Sequence, residues 1–138
     1  MTAKAYLMQY RICVDDIKMK REELKKLKED ATAVSAALDG GAPTAGNVSD
    51  KVGVKSADIV DLEREIEEEM LTMRELRRDI RSSIANVSSP ELRRVLTYRY
   101  ICGCTFERVS VKMGRSYYHV VHRLHPRALK IIGETKKF

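Results

Sequence analysis

The sequence predicts an all-α chain in two parts: a long antiparallel helical hairpin (coiled coil) over residues 1–87, then a helix-turn-helix over 88–138. Three observations carry this expectation. Apolar residues recur on a four–three rhythm in two long stretches, a glycine-rich joint separates those stretches, and the last third sets helix-start and helix-stop residues at short intervals. Seven glycines and three prolines in 138 residues are too few for an all-β fold, which needs a turn signal every ~8–12 residues.

The first stretch runs Tyr6, Tyr10, Cys13, Ile17, Lys20, Leu24, Leu27, Ala31, Val34, Leu38, with nine of its ten slots apolar. Charged residues cover the rest of the surface, so this narrow stripe must meet another helix. Lys20 interrupts it and is expected to run its aliphatic stem along the seam toward water. Residues 39–54 hold four glycines and Pro43, which reads as a flexible loop. The second stretch is Ile59, Leu62, Ile66, Met73, Leu76, Ile80, Val87, with Glu69 and Ser83 in the two remaining slots. Ser56 is expected to cap it, with Asp58 and Asp61 opposing the helix dipole. Two such helices joined by one loop fold back on each other most simply. The expected seam is Ile17, Leu24, Leu27, Leu38 against Ile59, Leu62, Ile66, Met73 and Ile80. Apolar residues beside it, such as Leu7, Met8 and Val14, have no cover within one hairpin, which predicts a homodimer.

Ser88-Ser89-Pro90-Glu91 opens the last third: a Ser cap, proline at the first helical position, an acid in the first turn. The break there is expected to let the two parts move relative to each other. The helix carries Leu92, Val95, Leu96 and Tyr100 near one face and closes at Gly103. Thr105 caps a short helix that Gly114 ends, and Ser116 caps another that runs toward Ile132. A short helix, a glycine turn and a basic helix within about 25 residues match the helix-turn-helix pattern. On the final helix Tyr117, Val120, Val121, Leu124, Ala128 and Ile131 share a face, while His119, His122, Arg123, Pro126 and Lys130 share the opposite one. Pro126 lacks a backbone donor and should bend or restart the helix.

Charge sharpens this picture. Residues 1–50 are neutral, residues 51–90 carry −2, and residues 91–138 hold eleven Lys/Arg against three Asp/Glu, or +8. A polyanion, most simply double-stranded DNA, is the expected partner of that last part. Candidate contacts are Thr105, Arg108, Lys112, Arg115, Ser116, Tyr118, His119, His122, Arg123, Arg127 and Lys130. Arg and His suit base edges, whereas Ser116, Tyr118 and helix-start N–H groups suit phosphate oxygens.

Arg99-Tyr100-Ile101, Thr105-Phe106-Glu107-Arg108-Val109-Ser110, Met113-Gly114-Arg115-Ser116 and Arg123-Leu124-His125-Pro126-Arg127-Ala128-Leu129 together resemble the RinA/ArpU-like regulators of late transcription in phages of Gram-positive bacteria. Their C-terminal part is similar to the promoter-binding region four of sigma factors. The long first helix and the Gly-Gly-Ala-Pro loop followed by Ser49-Asp50-Lys51-Val52 resemble that group too. The resemblance implies sequence-specific DNA binding near a promoter and activation of packaging, morphogenesis or lysis genes in the bacterial cytosol, with the hairpin either dimerising or touching host RNA polymerase. Three features depart from the pattern: Arg115 follows Gly114 where an apolar residue is usual, and Pro126 interrupts a helix that usually continues straight. The third is a spacing one residue long between Gly114 and Val121/Leu124, which offers Val120 as the inward residue instead.

The remaining chemistry is sparse. Cys102, Cys104, His119, His122 and His125 have zinc-ligand side chains. Cysteines two apart rarely chelate, however, and the histidines sweep around their helix, so idle thiols and a polar DNA face are the preferred reading. No catalytic group and no cofactor is expected, since Glu67-Glu68-Glu69 reads as a solvated helical face and Gly40-Gly41 follows no strand. Three cysteines, no signal-peptide core and no apolar run near ~18 residues lead to the expectation of a soluble cytoplasmic protein. The rival functional reading is an interaction protein whose coiled coil captures a host factor, with weak or no specific DNA binding.

Overall fold

A computed structural model describes the backbone of residues 1–39 and 45–138 and the side chains of residues 1–33 and 57–138. Most of the described residues are helical, with no strand among them. Helix α1 (Ala3–Asp39) and helix α2 (Ala45–Ala85) are the two long elements, and α3 (Pro90–Leu96) runs directly into a π-helical turn, Thr97–Ile101. Helix α4 (Phe106–Met113) follows. A single helical run closes the chain: α5 (Tyr117–His119), a second π-helical turn at Val120–Leu124, and α6 (His125–Lys136).

The loop expected over 39–54 is shorter. Helix α2 already includes residues 45–54, so Ser56 lies inside it and is not its cap. Extending an established helix backwards avoids a new nucleation step and tolerates Gly46 and Gly53 at about 1 kcal/mol each. The seam residue Leu38 falls outside the described side chains.

The chain divides into two compact units, one of Met1–Val14 with Thr72–Phe138 and one of Asp15–Leu71. The division expected at residue 87 falls inside the first of these units. The reason is a core that crosses it: Tyr6, Leu7 and Tyr10 of α1 and Ile80, Ile84 and Val87 join Leu92, Val95, Leu96, Tyr100, Val109, Val120, Leu124, Ala128 and Ile132 in one buried cluster. Leu7 is fully buried there, and Met8 and Val14 pack against the same cluster. The apolar residues that suggested a dimer are therefore covered within the chain. Beside the break at Ser88-Ser89-Pro90 the Arg93 guanidinium donates to the carbonyls of Val87 and Ser88 at 2.6 and 3.0 Å. Tyr6 adds a polar anchor in the same unit. Its hydroxyl donates to Asp79 and meets Ser83 Oγ at 2.9 Å, and Lys136 bridges to Asp79 at 3.3 Å.

In the other unit Ile17, Leu62 and Ile66 are buried, and Leu24, Leu27 and Ile59 are half-buried. Lys20, the polar slot of the first stripe, donates to Glu69, the polar slot of the second. Lys28 pairs with Glu63 at 3.4 Å.

Candidate nucleic-acid interface

Local chemistry sets each element of the basic third. The Ser89 hydroxyl accepts from Leu92 N–H at 3.3 Å, Thr105 from Arg108 N–H at 3.2 Å, and Ser116 from His119 N–H at 3.1 Å. All three caps lie where the sequence places them. Gly114 ends α4 with φ +65°, a left-handed conformation that side chains other than glycine's resist. Gly103 has φ +74°, and a Cβ there would lie 2.4 Å from the Arg11 guanidinium. That guanidinium donates to Ile101 O at 3.3 Å, while Arg99 donates to Cys104 O at 3.1 Å and stacks over the Phe106 ring. Two of the chain's cations thus clamp the loop before α4.

The π turns decide which face of the last helical run is available. Val120, Leu124, Ala128 and Ile132 are buried at intervals of four. In a uniform α-helix of about 3.6 residues per turn such a series drifts off its face. The wider π turn at Val120–Leu124 takes up the extra residue and holds the series on the core. The same holds for Leu92, Leu96 and Tyr100 with the turn at Thr97–Ile101. Val120 is the inward residue, Val121 and Ile131 are only half-buried, and Tyr117 is 47% exposed, so the inward face drawn from a regular helix is displaced. Pro126 sits at the start of α6, directly after the widened turn, where its missing N–H is accommodated.

His125 belongs to the interior. Its Nε2 lies 2.6 Å from the Tyr100 hydroxyl, and the Phe106 ring meets it edge-on at 4.8 Å. Burial, with the charges of Arg99 and Lys4, pushes the imidazole down to about 4. Burial pushes the Tyr100 phenol up to about 12. The pair links the first π-helical turn to the start of α6, and it removes His125 from any surface chemistry. Cys102 is exposed and Cys104 half-buried. Among the described residues no three His, Cys, Asp or Glu side chains come together as a metal site.

Of the eleven candidate contacts, ten are exposed and His119 is half-buried. Arg108, His122, Arg123, Arg127 and Lys130 present their charged or polar ends to solvent. Thr105 and Ser116 spend an acceptor on capping but keep the hydroxyl proton. Arg115 is paired with Glu91 at 2.7 Å, which explains how a charge is held in a turn position that usually takes an apolar residue. Lys112 stands over the Tyr98 ring at 5.6 Å. Tyr118 is 61% exposed and packs its ring 4.5 Å from that of His122. Sequence reasoning missed Tyr117 as a surface residue, because only the displaced helix register reveals it. None of the described helices is long and apolar enough to cross a membrane. No family model matches the chain, and neither curated proteins nor solved structures provide a match.

Proposed function

We propose that the chain is a sequence-specific double-stranded DNA-binding regulator, with α4, the Gly114 turn and the run from α5 through α6 acting as a helix-turn-helix. The observation that carries this reading is the exposure of ten of eleven candidate contacts on the segment 105–130, inside a region of net charge +8. In this reading the helix-start groups at Ser116 and Tyr118 hold phosphates, and Arg123 with His119 and His122 meets base edges. Arg127 and Lys130 extend the phosphate contact along the groove. Helices α1 and α2 form a hairpin that supports the reading domain and offers a surface for self-association or for RNA polymerase. Activation of phage late genes in the bacterial cytosol rests on the resemblance alone, as does polymerase contact. The chain acts as a binding protein with no catalytic role or cofactor in this reading.

The test is titration of the full chain against promoter-derived and random duplexes. Arg123→Ala should lose about 1–3 kcal/mol on its specific site and much less on random DNA. Equal losses on both would make Arg123 a phosphate contact and remove the base-reading assignment. The rival reading, a coiled coil that captures a host factor, is favoured if a variant lacking Arg123 and Lys130 keeps full biological effect.

A further inference from the structure

Apart from the candidate DNA contacts, a concavity of about 500 Å³ lies between the last turns of α2 and helix α3. Its lining includes buried Ile84 and half-buried Tyr98 as an apolar floor, exposed Pro90, and the arginines Arg81, Arg93 and Arg94. No carboxylate lines it. Arg93 is fixed by its two bonds to the Val87 and Ser88 carbonyls. Arg81 and Arg94 are exposed, and neither has an ion pair among the described residues. An arginine rim around an apolar floor suits an acidic surface with an apolar centre. A phosphodiester backbone would leave that floor unused.

Helix α1 carries such a surface. Met19 is 59% exposed. Asp15 and Asp16 lie one turn before it and Glu22 and Glu23 one turn after, so all four carboxylates surround it on the helix. All four are exposed, and none is ion-paired among the described residues. Neighbouring Lys20 and Lys26 are committed to Glu69 and Asp30. The acidic ring spans about 12 Å of helix. A methionine, unbranched and polarizable, fills an irregular apolar floor well.

We propose that Met19 and its ring of four carboxylates dock into the Arg81/Arg93/Arg94 groove of a second copy of the chain. Both halves of the interface are on one sequence, their charges are opposite, and each lacks an ion-pair partner among the described residues. The contact joins two different patches, so two copies close by exchanging both, and otherwise the array extends. The inference does not depend on the DNA-binding reading, because none of these residues is a candidate DNA contact.

Sedimentation equilibrium of the full chain at tens of micromolar in low salt should give a mass above 15.8 kDa. Arg94→Glu and Asp16→Arg should each weaken association at least tenfold while leaving helicity unchanged, and combining them in one chain should restore it. Met19→Ala is the second, uncharged variant, and it should weaken association in the same direction. A monomer for the unaltered chain, or loss in both single variants without rescue in the double one, overturns the proposal. If Arg81→Glu with Arg94→Glu leaves the mass unchanged but weakens duplex DNA binding as much as Arg123→Ala, the groove is a nucleic-acid surface and the proposal also fails.

Discussion

Within Asp15–Leu71 the buried hydrophobic residues among those described are Ile17, Leu62 and Ile66, whereas the unit of Met1–Val14 and Thr72–Phe138 buries fifteen residues in one cluster. Both regions carry the same four–three apolar rhythm. The difference is the number of helices that meet. Where only α1 and α2 face each other, Leu24, Leu27 and Ile59 stay half-exposed, and Lys20–Glu69 and Lys28–Glu63 flank the seam. Where α3 to α6 add a further layer, residues flanking the stripe, Leu7 above all, become fully buried. A heptad stripe thus sets direction and pairing, and a second layer supplies most of the burial.

The largest expected effect tests this directly. Leu7→Ala removes a fully buried side chain and should cost about 2–5 kcal/mol in urea unfolding. Leu24→Ala, in the two-helix region, should cost about 1 kcal/mol. Similar losses at both positions would erase the distinction between the regions. The same reasoning predicts that residues 88–138 alone stay unfolded, since their core is completed by Tyr6, Leu7, Tyr10, Ile80 and Ile84.

The next effect is one of pH. With the folded His125 imidazole held down at about 4, the unfolded chain takes up a proton near 6.5 that the folded chain refuses. Stability is complete above about 6.5 and falls as pH drops toward 4, by on the order of 3 kcal/mol. Urea midpoints should decline across that window, and His125→Gln should flatten the decline. A decline unchanged in His125→Gln would place its origin elsewhere.

The smallest effect concerns the polar slots. Lys20→Ala removes a partly exposed, solvent-screened ion pair with Glu69 and should barely move the urea midpoint. A midpoint shift as large as that of Leu7→Ala would mean that the thin region depends on charge more than on Ile17 and Ile66.

These contrasts also explain what was legible beforehand. Caps at Ser89, Thr105 and Ser116 and the glycine stop at Gly114 are decided by a few adjacent residues, so the sequence displays them. The pairing of Lys20 with Glu69 was half visible, because each occupies the polar slot of its stripe. The burial of Leu7 and His125 was not, since each depends on residues from distant segments. The π turns were hidden for a related reason: Val120, Leu124, Ala128 and Ile132 reveal the wider turn only once all four are known to face inward. Among the candidate contacts exposure followed from their charged or polar side chains, whereas Tyr117, outside that set, went to the wrong face because a regular helix was assumed.

The central claim, that segment 105–130 is a face for duplex DNA, is tested most directly by the salt dependence of binding. Titrations of the full chain from low to physiological salt should give a logarithm of affinity falling linearly with the logarithm of salt, by about 0.9 for each phosphate neutralised. The exposed Arg108, Arg123, Arg127 and Lys130 alone should set a slope near −3 to −4. A slope near zero, or no duplex binding at low salt, would contradict it.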